Sequence, residues 1–329
     1  MNDVAISLPD RLGGFLEALS PKLRHSIRYK EPLWRYTTLR VGGPADLYIR
    51  VAEADDLAEV AAIAQLQGIP YFLLGGGSNI CVSDKGIRGL VLHNLCRHCE
   101  IGPITRVDSG YPMMQLFLDS ARASLSGLEF AVGIPGSVGG AMVSNAGAYR
   151  QNICDLVVEI DVVEGGTRKK VGPEWMEFSY RDSRLRRPES PPATIIAVTL
   201  KLEPKPRIEI MARARENQRQ RIYKQPWYPS AGSFFKNVYN RALAESLPDL
   251  PAPMKEAGVV PAGYLSAACG CKGLTVGGAQ ISRRHGNFVV NRGHATAEDI
   301  RTLAEIVKAR VRERFGVELQ EEVLYVGEW

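Results

Sequence analysis

The stretch Gly133-Ile-Pro-Gly-Ser-Val-Gly-Gly140, followed by Asn145-Ala-Gly-Ala-Tyr149, constrains this chain more than any other. Each glycine carries an ordering cost that packing has to offset, so this density reads as loop rather than ordinary helix or strand. A large flat ligand lying against bare backbone explains it. A second glycine loop, Gly75-Gly-Gly-Ser-Asn79, directly follows the short apolar run 69–74. Consecutive glycines there let backbone N–H groups turn toward an anion with no Cβ in the way, and a diphosphate is the natural guest. No G-x-G-x-x-G opens a helix and no Gly-Lys-Ser/Thr follows, so the Rossmann fingerprint and the P-loop are both excluded. Two backbone cradles in one lobe suit an extended dinucleotide such as a flavin better than a mononucleotide.

The surrounding pattern is that of a packed protein of mixed class. Residues 45–51 read as a strand, and Glu53, Asp55 and Asp56 then open a helix with Leu57, Val60, Ala61 and Ala64 on one face, ended by Gly68. Strands follow at 69–74 and 89–92, a helix at 113–124, and strands at 157–163 and 195–202. Glu203-Pro-Lys-Pro206 punctuates the chain and serves as a boundary. Beyond it, residues 208–223 read as a helix carrying Arg213, Arg215, Arg219 and Arg221, a face usually just solvated. A last helix starts at Thr296-Ala-Glu-Asp, carries Ile300, Leu303, Ala304, Val307 and Val311 at helical spacing, and stops at Gly316. The fold class is α+β with α/β elements, in two lobes, as 329 residues suggest.

Charge and cysteine content narrow the function classes. A net charge of +5, dispersed along the chain, is no nucleic-acid footprint. The N-terminus lacks the pattern of a signal peptide, and no apolar run reaches the ~18 residues of a membrane span, so a cytoplasmic protein is expected. Cys96 and Cys99 form a CxxC flanked by His93 and His98, with Cys269 and Cys271 far downstream. Neither half has zinc-ribbon spacing, and the CxxC trails a strand instead of opening a helix, which disfavours a metal site and a thioredoxin-type motif alike. These cysteines read as surface thiols.

The two glycine loops resemble those of the UDP-N-acetylenolpyruvoylglucosamine reductases (UDP-N-acetylmuramate dehydrogenases), flavoenzymes of bacterial peptidoglycan precursor synthesis. The likeness runs in family order from Tyr36-Thr-Thr-Leu-Arg-Val-Gly-Gly43 through both loops, Ser179-Tyr-Arg-Asp-Ser183, Pro229-Ser-Ala-Gly-Ser-Phe-Phe-Lys-Asn237, Lys272-Gly273, Gly277-Gly-Ala279 and Phe288-Val-Val-Asn291 to the chain end. It implies an FAD domain of the vanillyl-alcohol-oxidase (PCMH) type over 36–204, after an N-terminal segment 1–35, and a smaller α+β substrate domain over 205–329. The short span from Arg181 to Ser233 is similar to the family form that lacks an inserted loop over the substrate. Departures stand at Arg150, where the family usually has glycine, at Ser144 and Val238, where methionine and proline are usual, and at Gln320-Glu321.

The resemblance also implies the chemistry and its residues. Hydride from NADPH would pass through non-covalent FAD to the vinyl carbon of a UDP-sugar enol ether, with negative charge gathering beside its carboxylate. Arg181 would supply a permanent cation, Glu322 a hydrogen-bond donor if protonated, and Ser233 the proton for the neighbouring carbon. FAD would be held by Gly75, Gly76, Gly77, Ser78, Asn79, Gly133, Ile134, Pro135, Gly136, Ser137, Gly139, Gly140, Asn145, Ala146 and Gly147. Lys224, Lys236, Asn237, Lys272 and His285 would face the UDP-sugar, the expected partner of a monomeric enzyme with no metal, nucleic acid or membrane. Two alternatives remain open: an FAD oxidase of the same domain family, often with covalent flavin, and an inactive nucleotide-binding relative.

Overall fold

The computed structural model describes residues 8–329, without the side chains of residues 8–11, Gln220 and Lys224. The described chain divides into two compact units, each assembled from separated segments.

The first unit, residues 45–76 and 88–220 with the segment up to Glu31, is built on two sheets. In one, the strands run in the order Arg28–Pro32, Pro44–Val51, Ile87–Asn94, Tyr71–Leu74, and the last two are parallel. The other is antiparallel, in the order Thr167–Val171, Val157–Glu164, Ala193–Lys201, Ile104–Asp108, Cys99–Glu100. Helix Ala54–Leu66 buries Leu57, Val60, Ala61 and Ala64, the face its spacing predicts, in a core shared with Leu47, Ile49, Leu90, Val163 and Ile196. A second core lies on the antiparallel sheet, where Leu116 and Phe117 of helix Met113–Arg122 meet Val138, Met142, Ile160 and Val198. Ile210 and Ala214 of the long basic helix Arg207–Lys224 pack into it, so one stripe of that helix is buried although most of it is solvated.

The second unit joins residues 221–329 to two short insertions from upstream, 32–44 and 77–87. The insertions belong here because Leu39, Val41 and Cys81 bury their side chains with Phe234, Phe235, Ile300, Leu303, Val307 and Val311. Helix Ala297–Phe315 covers the three-stranded sheet Thr275–Val276, Ala279–Ile281, Val289–Asn291. It starts on a capping box between Thr296 and Asp299 and ends on Gly316 at φ 66°, as the sequence signals require. The tail then returns: strand Leu324–Val326 lies parallel to Ile80–Val82.

Two expectations change. Residues Val138–Val143 are helical despite Gly139 and Gly140; Ser137 caps this turn by accepting from the Gly140 amide, and a Cβ on Gly139 would come 3.0 Å from Ser109 Cβ. Close packing, not irregular backbone, demands that glycine. The cysteines are not all surface thiols: Cys96 and Cys271 are fully buried, and burial pushes the Cys96 thiol up to about 12. A low-dielectric core disfavours the thiolate, leaving Cys96 a small apolar side chain.

Candidate active site

In the first unit the structure brings Arg181 to the glycine-rich segment 143–147. Ser179 and Asp182 exchange backbone bonds at 3.1 and 3.3 Å, closing a tight turn with Arg181 at its tip in the left-handed region, φ 54°. Left-handed backbone is costly for a residue with a Cβ, so this turn is held from outside. Asn145 Nδ2 donates to Ser179 O at 2.9 Å, and Ser183 Oγ donates to Val143 O at 2.7 Å. The Arg181 guanidinium itself donates to the carbonyls of Gly147 and Asn145. Asp182, the obvious salt-bridge partner in sequence, instead faces Arg186 and Arg187.

The glycine loops show why they contain so little side chain. A Cβ on Gly76 would lie 2.7 Å from Gly136 Cα, and one on Gly75 would strike Ser137 Oγ. Loop-on-loop packing thus accounts for part of the glycine content. Gly133 and Gly136 take φ of 73° and 113°, open to glycine alone among residues without strain. The amides of Gly76, Gly77 and Asn79 donate to no protein acceptor among the described residues, which fits an anionic guest held by backbone. Asn145 Oδ1 is likewise buried without a partner, an acceptor that fits a donor on a ligand ring. These features suit FAD.

One wall of this site was not legible in sequence. The loop 108–113 turns its carbonyls toward the second glycine segment, Ser109 O accepting from the Gly139 amide at 2.7 Å and Tyr111 O from the Val138 amide at 2.9 Å. Asp108 is 2% exposed, and burial raises its carboxyl above the usual range. The available signal was Asp-Ser-Gly-Tyr-Pro between a strand and a helix.

In the second unit, Ser233 follows Gly232, whose φ of 78° and open surroundings make a bend before the segment 233–236. Asn287, buried, holds that segment in place: its backbone carbonyl accepts from the Phe234 amide, and its side chain both accepts from the Phe235 amide and donates to Phe235 O. On the other edge the tail pairs with it. Glu322 N donates to Phe234 O and Lys236 N to Gln320 O, each at 2.8 Å, with Phe235 opposite Glu321. Ser233 and Glu322, far apart in sequence, therefore lie on adjoining segments joined by the isolated bridge of Phe235 and Glu321. Asn79 contributes here, its side-chain amide donating to Glu322 O at 3.1 Å.

The residues expected to face the UDP-sugar are distributed along the same unit. Lys236 lies three residues after Ser233 in the same segment, and Asn237 Oδ1 accepts from the Ala262 amide at the start of helix Ala262–Ala268. Lys272 is exposed in a turn, while His285 Nδ1 accepts from the Asn287 amide and its ring meets Phe288 edge-on at 4.9 Å. The Lys224 side chain lies outside the described residues. Among those described, no three His, Cys, Asp or Glu side chains form a metal-binding group, and no helix is long and apolar enough to cross a membrane.

Comparison with known proteins agrees along the chain. Residues 45–168 match the family model of an FAD binding domain, and residues 223–326 that of the UDP-N-acetylenolpyruvoylglucosamine reductase C-terminal domain. A UDP-N-acetylenolpyruvoylglucosamine reductase of Desulfosudis oleivorans is 39% identical over 96% of this chain and 99% of its own length. Another, from Symbiobacterium thermophilum, is 38% identical over 92% of both. The crystal structure of the Thermus caldophilus reductase superposes with a TM-score of 0.72 at 34% identity, covering 91% of this chain and 98% of that one.

Proposed function

The chain belongs to the UDP-N-acetylenolpyruvoylglucosamine reductase family, and on that premise we propose how its own residues carry the reaction. It is an FAD-dependent enzyme that reduces the enolpyruvyl group of UDP-N-acetylglucosamine enolpyruvate to UDP-N-acetylmuramate in peptidoglycan precursor synthesis. The glycine loops 75–79 and 133–147 would hold FAD, whose chemistry there would be the transfer of hydride from NADPH to the methylene end of the enol ether. Arg181 holds the substrate carboxylate, and its permanent charge is worth most as negative charge develops beside it. Ser233 gives the proton to the adjoining carbon; serine is a weak acid, so the transfer draws on the strong basicity of the developing carbanion, on a neighbouring cation such as Lys236, or on a water relay. Glu322, protonated, donates to the same carboxylate. Lys224, Lys236, Asn237, Lys272 and His285 engage the UDP-sugar, and the enzyme works as a cytoplasmic monomer.

The observation that supports this reading best is the pairing of the Ser233 segment with the tail, through Glu322 N and Phe234 O at 2.8 Å. Ser233→Ala tests it by stopped-flow measurement of the two half-reactions. Flavin reduction by NADPH stays near the unmodified rate, while reoxidation by the enol ether slows by about two to four orders of magnitude, the range for a lost proton donor. Equal damage to both halves would refute the role. Arg181→Lys, keeping charge but losing the planar fork, depresses reoxidation more than substrate affinity.

A further inference from the structure

Strands Gly147–Ala148 and Gln151–Asn152 form a hairpin whose two-residue loop is Tyr149-Arg150, at φ 55° and 63°. A hairpin loop with both central residues left-handed is normally Asn-Gly, because side chains with a Cβ resist that conformation. Tyr149 gains something in return, since its Oη donates to Asn217 O at 2.6 Å. Arg150 gains nothing inside the protein: it is exposed, and its guanidinium makes no hydrogen bond or ion pair among the described residues. Strain held without internal compensation points outward, to a ligand.

The neighbourhood defines the ligand's charge. Arg213 Nη2 donates to Gln151 Oε1 at 2.9 Å, setting a second guanidinium beside the far strand, and Arg181 is bonded to Gly147 O on the near one. Asp155, in the 3-10 turn Ile153–Leu156 that follows the hairpin, accepts from the Asn152 amide, and Glu216 on the facing helix has a partner of its own. Arg150 at the loop tip, with Arg213 of the helix Arg207–Lys224 bonded to one strand and Arg181 of the turn 179–182 bonded to the other, favours a multiply charged anion, and the planar fork suits phosphate. The loop tip is three residues, about 10 Å of chain, from the carbonyl that anchors Arg181.

We propose that Arg150, with Arg213 beside it, binds the 2′-phosphate of NADPH and makes this enzyme discriminate against NADH. The inference rests on the function proposed above. A terminal phosphomonoester is preferred over the substrate's diphosphate because Arg150 lies in the FAD-binding unit, whereas the residues assigned to the UDP-sugar lie in the other.

The test uses the FAD-loaded enzyme and its Arg150→Gly and Arg150→Lys variants. Calorimetric titration with adenosine 2′,5′-bisphosphate and with 5′-AMP reads the phosphate directly, and stopped-flow reduction by NADPH and NADH reads selectivity. In the unmodified enzyme the bisphosphate binds about tenfold or more tighter than 5′-AMP, as one charge-assisted contact allows. Arg150→Gly brings the two to near parity and lowers the NADPH/NADH rate ratio about ten- to hundredfold, while Arg150→Lys keeps part of both. The glycine also relieves the loop, raising the melting temperature by roughly 2–4 °C. A raised melting temperature with selectivity unchanged would overturn the proposal, as would weakened binding of the UDP-sugar in place of the bisphosphate. Nucleotide titration does not need turnover, so an enzyme that binds the bisphosphate selectively yet does not reduce the enol ether would sink the function and spare this site.

Discussion

His93 illustrates how much a single side chain owes to a neighbour the sequence cannot show. Its Nδ1 lies 2.5 Å from the hydroxyl of Tyr48, fully buried on the adjacent strand, and burial, then the cations Arg50 and Arg97, lower its pKa to about 4. An unfolded histidine titrates near 6.5, so between about pH 6.5 and 4 the unfolded chain binds the extra proton and the fold resists it. Stability from this group is present above that window and is lost as pH falls through it. His93→Gln, which cannot titrate, is expected to show a shallower fall in urea midpoint between pH 7 and 4.5; parallel curves would remove His93 as the cause. In sequence the same residue was only the flank of a CxxC. Arg181, Ser233 and Glu322 were visible as candidates only through the family resemblance of the motifs around them. Asn287 and the loop around Ser109 were not, since they act by bonds to segments distant in sequence, and a lone Asn or Ser carries no pattern.

Helices were the most legible elements, because their buried faces repeat at a period the sequence displays, as Ile300, Leu303, Ala304, Val307 and Val311 do. What holds a helix end was legible only in part. Thr296 declares itself as a cap, but Asp84, 213 residues upstream, accepts from the amides of Ala297 and Glu298 at 2.9 and 3.0 Å. Its carboxylate satisfies two orphan donors and also meets the positive end of the helix dipole. Asp84→Ala is expected to cost about 1–2 kcal/mol and Thr296→Ala about 1 kcal/mol by denaturant titration. An Asp84→Ala effect smaller than that of Thr296→Ala would mean that water replaces the carboxylate without loss. The glycine helix Val138–Val143 shows the opposite failure, since composition argued for loop while Ser137 and the closeness of Ser109 built a turn of helix.

At the scale of the whole chain, the second unit is closed by its own last residues. Residues 32–44 and 77–87 are too short for composition to reveal that they belong with it, and they do so through Leu39, Val41 and Cys81. The tail completes the arrangement, with Leu319 and Val323 in the same core, Val326 O accepting from Ser83 N, and Gln320 O from Lys236 N. Burying two such side chains contributes about 1.5–3 kcal/mol each, and each buried backbone group stripped of its partner costs about 1–3 kcal/mol. Together these rival the whole stability of a typical domain, about 5–15 kcal/mol. Deleting residues 317–329 is therefore expected to abolish hydrogen-exchange protection at Phe234, Phe235, Leu303 and Val307, while Leu90, Val162 and Val198 stay protected, because neither core of the first unit contains a tail residue. A truncation that kept protection in both units and reoxidised its flavin normally would show the tail to be dispensable. Glu322→Gln and Glu322→Ala separate chemistry from this scaffolding: both leave exchange protection near that of the unmodified chain, and the glutamine, still a neutral donor, retains more of the reoxidation rate than the alanine.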